Sequence, residues 1–221
     1  MNVSTTPVGS GDEGAIRPSL AERRKEETRR EIARVAARLF AERGTSAVTA
    51  EEIAEAAGLA RRTFHRYCPT KEEAVEPIMS AGAARWVADL AAGPARMPTV
   101  EELCAAAVRA LTPRPGSDEL AVMRGLFRAM DTDRALRSVW YLANLEGERA
   151  LRGVLTDLTG ADSDPLRIRL TAAAANAALR VAIEQWAATD APALGPGSPA
   201  DLVVECMRDL TASLPLWDTG D

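Results

Sequence analysis

One stretch constrains this chain more than any other: Thr49-Ala-Glu-Glu-Ile-Ala-Glu-Ala-Ala-Gly-Leu-Ala-Arg-Arg-Thr-Phe-His-Arg-Tyr-Cys-Pro-Thr-Lys71. Thr49 and Glu52 stand three apart, the spacing at which a hydroxyl and a carboxylate cap each other's backbone N–H at a helix start. Ile53, Ala56 and Ala57 supply a short apolar face, and Gly58 ends it with a residue free to take positive φ. Phe64, part of Tyr67 and Cys68 then recur at helical spacing, and Pro69 stops the second segment. Ala54, four residues before the glycine, is small enough for the second helix to cross the first. The spacing therefore predicts two short helices joined by a tight turn.

With Phe64 facing inward, Arg61, Arg62, Thr63, His65 and Arg66 face outward. Arginine suits the O6/N7 edge of guanine, and a threonine methyl suits the thymine methyl. Tyr67 and Lys71 lie further along, where phosphate is the expected partner. Thr49 offers a helix N-terminus to another phosphate. The plain alternative is a basic surface helix with no partner.

Charge distribution supports an anionic partner at one end. The whole chain of 221 residues carries −5. Residues 15–71 hold 13 Lys and Arg against 8 Asp and Glu, whereas residues 72–221 hold 14 against 22. A basic first third on an acidic remainder fits a nucleic-acid contact confined to the N-terminal part. Arg17, Arg23, Arg24, Lys25, Arg29 and Arg30 form a basic arm before and in the first helix. Glu22, Glu26, Glu27 and Glu31 are interleaved with them, so most of the arm reads as a solvated, paired face.

The rest reads as all-α. Alanine is abundant, and β-branched runs are nearly absent. Residues 1–18 read as a disordered tail. Ser19 and Glu22 cap a helix with Ile32, Val35, Ala36, Leu39 and Phe40 on one face, closed by Gly44. Thr70 and Glu73 form a further cap. A helix is expected from Lys71 to about Ala92, kinked at Pro77. Others open at Thr99, Ser117, about Thr132, Asp164-Pro165 and Ser198-Pro199, with the last running to about Leu214. The sum is nine helices and no strand, divided as residues 19–70 and 71–221.

Enzyme chemistry finds no foothold. The single histidine, His65, lies on the basic helix. There is no GxSxG, Walker A, GxGxxG or HExxH pattern and no metal-spaced Cys/His group, so no catalytic residue, cofactor or metal is expected. Cys68, Cys104 and Cys206 lack CxxC spacing and fit free thiols in a cytoplasmic protein. No segment reaches the ~20 apolar residues of a membrane span.

Residues 20–75 resemble the N-terminal domain of TetR/AcrR-family transcriptional regulators. The likeness rests on Phe40-Ala-Glu-Arg-Gly44, Val48-Thr-Ala-Glu-Glu-Ile-Ala-Glu-Ala-Ala-Gly-Leu59, Arg61-Arg-Thr-Phe-His-Arg-Tyr67 and Thr70-Lys-Glu-Glu73. It implies an all-α homodimer that binds a palindromic operator in double-stranded DNA, and a repressor released by a small-molecule effector. It places Arg61, Arg62, Thr63 and His65 at base-reading positions, and Thr49, Tyr67 and Lys71 at phosphates, with Arg66 beside them. Two residues depart from the pattern. Cys68 replaces a bulky aromatic, and Ala60 replaces a Ser or Thr cap, at a cost of ~1 kcal/mol.

For an effector pocket the candidates are Trp86, Met123, Phe127, Trp140 and Tyr141, with Asn144, Asn176 and Arg180 as polar groups. Asn176, Arg180 and Glu184 follow at i, i+4, i+8, and a surface ladder with an Arg180–Glu184 pair is their simpler reading. The dimer face is expected along Ala172, Ala175, Leu179, Ile183 and Trp186 and along Leu202, Cys206 and Leu210. Internal core is the alternative for both stripes. A helical ligand-binding protein with a vestigial DNA module is the competing function.

Overall fold

The computed structural model describes residues 19–160 and 163–213, and among these it contains nine α-helices and no strand. They are α1 (Leu20–Arg43), α2 (Ala50–Ala56), α3 (Arg61–Tyr67), α4 (Glu76–Ala91), α5 (Val100–Leu111), α6 (Glu119–Met130), α7 (Arg134–Thr159), α8 (Pro165–Ala187) and α9 (Pro199–Ser213). Short 3₁₀ turns cover Thr45–Ala47 and Glu73–Val75. The N-terminal tail, Arg17 and the end of the last helix at Leu214 lie outside the described residues.

Local chemistry sets most boundaries. Ser19, Thr49 and Thr99 each form a complete capping box with Glu22, Glu52 and Glu102. Asp133 and Asp164 accept from the backbone N–H groups of Leu136 and Leu166, and Pro165 occupies the first turn of α8, where a missing N–H costs nothing.

Pro77 obeys the same rule, and this corrects the sequence expectation. The chain from Pro69 to Lys71 is a turn, and α4 begins at Glu76. Pro77 therefore lies in the first turn of α4, not inside a longer helix, and it bends nothing. Thr70 still accepts from the Glu73 N–H at 3.2 Å, but the bond organises a 3₁₀ turn.

Helices α4, α5, α9, α8 and α7 pack side by side in that order and close into a ring. α6 crosses from this ring to α1, which carries α2 and α3 on its other side. The core runs through both parts. Ile32, Ala36 and Phe40 of α1 join Ile53, Phe64, Val75 and Trp86, and all are 1% exposed or less. Trp86 donates its Nε1–H to the Leu103 carbonyl at 3.1 Å, so its one polar atom is satisfied inside.

Candidate nucleic-acid interface

The turn between α2 and α3 follows from Gly58. Its φ is +67°, which L side chains rarely adopt. The Leu59 N–H reaches the Ala54 carbonyl at 2.8 Å, and the Gly58 N–H reaches that of Glu55 at 2.9 Å. These two bonds close the end of α2 and aim the chain into α3. Ala54 and Phe64 are both buried, at 1% and 0% exposure. The phenyl ring fixes the rotation of α3 and decides which side chains face out.

Arg61, Arg62, His65 and Arg66 are exposed, and Thr63 and Tyr67 are half-buried. Arg61 Nε lies 2.7 Å from Glu51 Oε1, a neighbour that sequence reasoning did not pair with it. Both partners are well exposed, so the pair is worth at most about 1 kcal/mol and can be exchanged for a stronger anion. Arg62 makes no ion pair among the described residues. The Arg66 guanidinium lies 5.3 Å from the Tyr67 ring centroid, and the His65 ring meets Phe64 edge-on at 5.3 Å. Ala60, at the N-cap of α3, supplies no side-chain bond, as its methyl requires.

Two expected phosphate contacts occupy different surroundings. Thr49 is exposed, but its hydroxyl already accepts from the Glu52 N–H at 3.2 Å and donates to Glu52 Oε2 at 3.0 Å. Lys71 turns inward. Its Nζ donates to the carbonyls of Thr45 at 2.6 Å and Val48 at 2.8 Å. Those carbonyls flank the 3₁₀ turn; that of Thr45 also accepts from the Val48 N–H at 3.2 Å, and the ammonium adds a charged donor to both. Lys71 therefore braces the entry to α2 instead of standing free for a phosphate. Glu52 is held down to about 2 by the Thr49 backbone N–H first, then by Arg43 and the Thr49 hydroxyl.

The basic arm is paired only in its second half, at Arg29 and Arg30, and Arg34 beyond it is paired as well. Arg30 meets Glu26 at 3.1 Å, Arg34 meets Glu31 at 2.7 Å, and Arg29 reaches Glu76 of α4 at 3.4 Å. Arg23, Arg24 and Lys25 are exposed without an ion pair among the described residues, so the paired face expected for most of the arm holds for fewer than half of its members. The face of α2–α3 thus presents exposed cations on a packed support, the arrangement with which a helix enters a groove.

A small cavity of about 90 Å³ lies behind α4, among α4, α6, α7, α8 and the end of α5. Met123, Trp140 and Asn144 line it. Leu179 and Ile183 also line it, although the sequence suggested they were dimer contacts. Trp86 is core, as described. Phe127 and Tyr141 border a separate outer groove of about 490 Å³, and Trp140 forms the wall between the two spaces. That indole is pinned. Its Nε1–H donates to Glu184 at 2.7 Å, and Arg180 holds the other Glu184 oxygen at 2.8 Å. Asn176 is buried beneath and donates to the Asn144 carbonyl at 3.2 Å. Arg180, Glu184 and Asn176 therefore hold α7 to α8 and do not face the cavity. The cavity residues that sequence reading missed include Arg85 and Glu119. A long cation directly after the small-residue run Ser80–Ala84 was the available signal.

The expected dimer stripe on α8 also needs correction. Ala172, Ala175 and Trp186 are buried at 1%, 3% and 1% exposure within the subunit, which leaves no surface for a partner. Trp186 donates to the Ala191 and Pro192 carbonyls, and Arg124 stacks on its ring at 4.0 Å. On α9, Leu202, Cys206 and Leu210 are half-buried against the ring core. Exposed apolar residues lie elsewhere. Six of the eight large ones among the described residues are on α7 (Tyr141, Leu142, Leu145) and α8 (Leu166, Leu170, Val181).

A three-helix module with a glycine-turned pair and an outward basic helix, set on an all-helical body, defines a helix-turn-helix DNA-binding regulator. Comparison with known proteins makes this specific. Residues 32–76 match the sequence profile of the bacterial regulatory proteins, tetR family. The chain is 30% identical over 186 residues to the HTH-type transcriptional regulator TcmR of Streptomyces glaucescens, covering 80% of this chain and 82% of that one. The protein belongs to the TetR family of transcriptional regulators, and its N-terminal part is the DNA-binding one.

Solved structures share the fold. A TetR-family regulator from Mesorhizobium loti superposes with a TM-score of 0.52 at 19% identity, over 86% of this chain and 97% of its own. NalD, the secondary repressor of the MexAB-OprM multidrug efflux pump in Pseudomonas aeruginosa, gives 0.53 at 20% identity, over 85% and 96%. No helix among the described residues is long and apolar enough to cross a membrane.

Proposed function

We propose that the chain is a cytoplasmic homodimeric repressor, held on a palindromic operator and released by a small-molecule effector. Residues 19–70 act as the DNA-binding unit, and residues 71–221 serve effector binding and dimerisation. The observation that carries the reading is the orientation of α3, with Phe64 at 0% exposure beneath Arg61, Arg62, Thr63 and His65. These four are the proposed base contacts. Arg66 and Tyr67 are proposed at phosphates, with the N-terminus of α2 at Thr49 as a further one.

One copy of α3 reads one half-site. Two copies related by a two-fold axis match a palindrome, with reading helices roughly 34–36 Å apart. The outward apolar residues of α7 and α8 support a partner there, because monomeric proteins rarely leave such side chains together on one surface. Leu166, Leu170 and Val181 fall at i, i+4 and i+15, on one side of α8.

The cavity, about 90 Å³, is much smaller than the ~300–1,000 Å³ of ordinary ligand sites. A ligand must therefore spread the helices around it. Its differential affinity for the spread state is what shifts the population. α4 is one wall of the cavity and leads directly to Lys71 and α3, so spreading moves the DNA-reading helix.

Selection of bound duplexes from random-sequence DNA tests this reading. The expected product is an inverted repeat with half-sites spaced by one or two helical turns. Recovery of no preferred sequence contradicts it.

A further inference from the structure

The cavity behind α4 is apolar inside and charged at its mouth. Ile78, Met79, Leu120, Met123 and Ile183 make the interior, while Arg85 and Glu119 stand at the edge. The Arg85 guanidinium is fixed in place, its Nε and Nη2 donating to the Ala110 carbonyl at 3.2 and 3.0 Å. Nη2 also lies 3.6 Å from Glu119 Oε2, and Arg114 Nη1 lies 4.0 Å from Glu119 Oε1. Two guanidinium groups thus share one carboxylate.

Outside the mouth runs a groove of about 540 Å³ between α1 and α4, which shares Ile78, Ala81, Arg85 and Glu119 with the cavity. Five arginines and three glutamates line this groove. An entering ammonium meets a cationic surplus, whereas an entering anion finds an under-neutralised pair of arginines. Arginine also offers a carboxylate a two-pronged bond that a single shared Glu119 does not fill.

We propose that the effector is an apolar molecule carrying one carboxylate or similar anion, with its body in the cavity and its anion on Arg85 and Arg114. This rests on the reading of the cavity as the effector site. The incoming anion competes with Glu119 for Arg85. Glu119 is the first residue of α6, so its release loosens the tie between α6 and α4. α6 packs on α1. The head group is then the part of the ligand that acts on the DNA-binding end, and the apolar body supplies affinity.

Calorimetric titration of the full chain with octanoate, octanamide and octylammonium separates head group from body. Octanoate is expected to bind roughly ten-fold or more tighter than octanamide, with octylammonium weakest. Arg85→Gln, and separately the surface change Arg114→Gln, should bring octanoate towards octanamide while octanamide stays within about two-fold. Equal affinity for all three, or octylammonium as the tightest, overturns the anion assignment. So does an octanoate preference that survives both changes.

Ala143→Leu, which fills the cavity, keeps the two failures apart, with Met123→Trp as the substitute if that variant melts early. If filling abolishes all binding but octanoate held no advantage in the native chain, the cavity reading stands and the head-group assignment falls. If binding ignores the filling, or none of the three binds the native chain, both fall.

Discussion

Gly125 of α6 and Ala41 of α1 meet with no room for a side chain between them. A Cβ on Gly125 would lie 2.4 Å from the Ala41 Cβ and 2.9 Å from its Cα. Backbone cannot yield as the end of a flexible side chain does, so the two helices must move apart to admit a methyl group. Gly125→Ala should therefore lower stability by about 1–3 kcal/mol, despite the ~1 kcal/mol that alanine normally adds to a helix interior. Gly153 of α7 is the control, because its Cβ meets nothing within 4 Å. Gly153→Ala should raise the melting temperature. Paired thermal melts check both, and a Gly125→Ala variant as stable as Gly153→Ala would contradict the close approach.

Lys71 gives a second prediction. Its ammonium donates to the backbone carbonyls of Thr45 and Val48 and ties the start of α2 to the segment after α3. Lys71→Met should cost about 1–3 kcal/mol in the absence of DNA. Urea denaturation reads this directly. Unchanged stability with weakened DNA binding would restore the phosphate role expected from the sequence.

The caps make stability depend on pH in a stated window. Glu52 is held down to about 2 by the Thr49 N–H first, and Glu102 to about 2 by Arg96 first, against an ordinary value of 4.5. Both are depressed on folding, so each contribution is present above pH 4.5 and fades as pH falls towards 2. Glu52→Gln and Glu102→Gln should flatten the loss of stability between those limits. The measurement is urea denaturation of each variant at a series of pH values, and an unchanged slope would count against the capping bonds.

The proposed partner face is tested by charge. Leu142→Glu combined with Val181→Glu places carboxylates on the outward side of α7 and α8, where both residues are exposed at 58% and 43%. The double variant should keep its helical content and run as a monomer in light scattering. A dimer undiminished by the change moves the interface elsewhere.

How much of this was legible follows from where the information sits. Ser19, Thr49, Thr99 and Asp164 announce helix starts because a cap involves neighbours within three residues, and Gly58 announces its turn for the same reason. Phe64 is the one large apolar residue among five polar ones, so its burial was readable too. α8 was not. Its alanines are small enough to pack on several sides, so Ala172, Ala175, Ala178 and Ala182 are buried without one clear stripe. The second apolar side through Leu166, Leu170 and Val181, on which the proposed partner face rests, was missed. Pro77 was misplaced because the Thr70–Glu73 cap, which reads as the start of a long helix, organises only a 3₁₀ turn, and α4 begins at Glu76. The inward Lys71 depends on carbonyls more than twenty residues away, which no local pattern encodes.

The central claim is that α3 reads DNA with the side chains Phe64 turns outward, and Arg62 is its cleanest probe because no ion pair holds it among the described residues. Fluorescence anisotropy at fixed salt, on the duplex selected by the native chain, measures the effect of Arg62→Ala. The account predicts a loss of about 1–3 kcal/mol, roughly five- to 150-fold in affinity, with relaxed preference at one base position and an unchanged melting temperature. Native affinity and native sequence preference in that variant would contradict it.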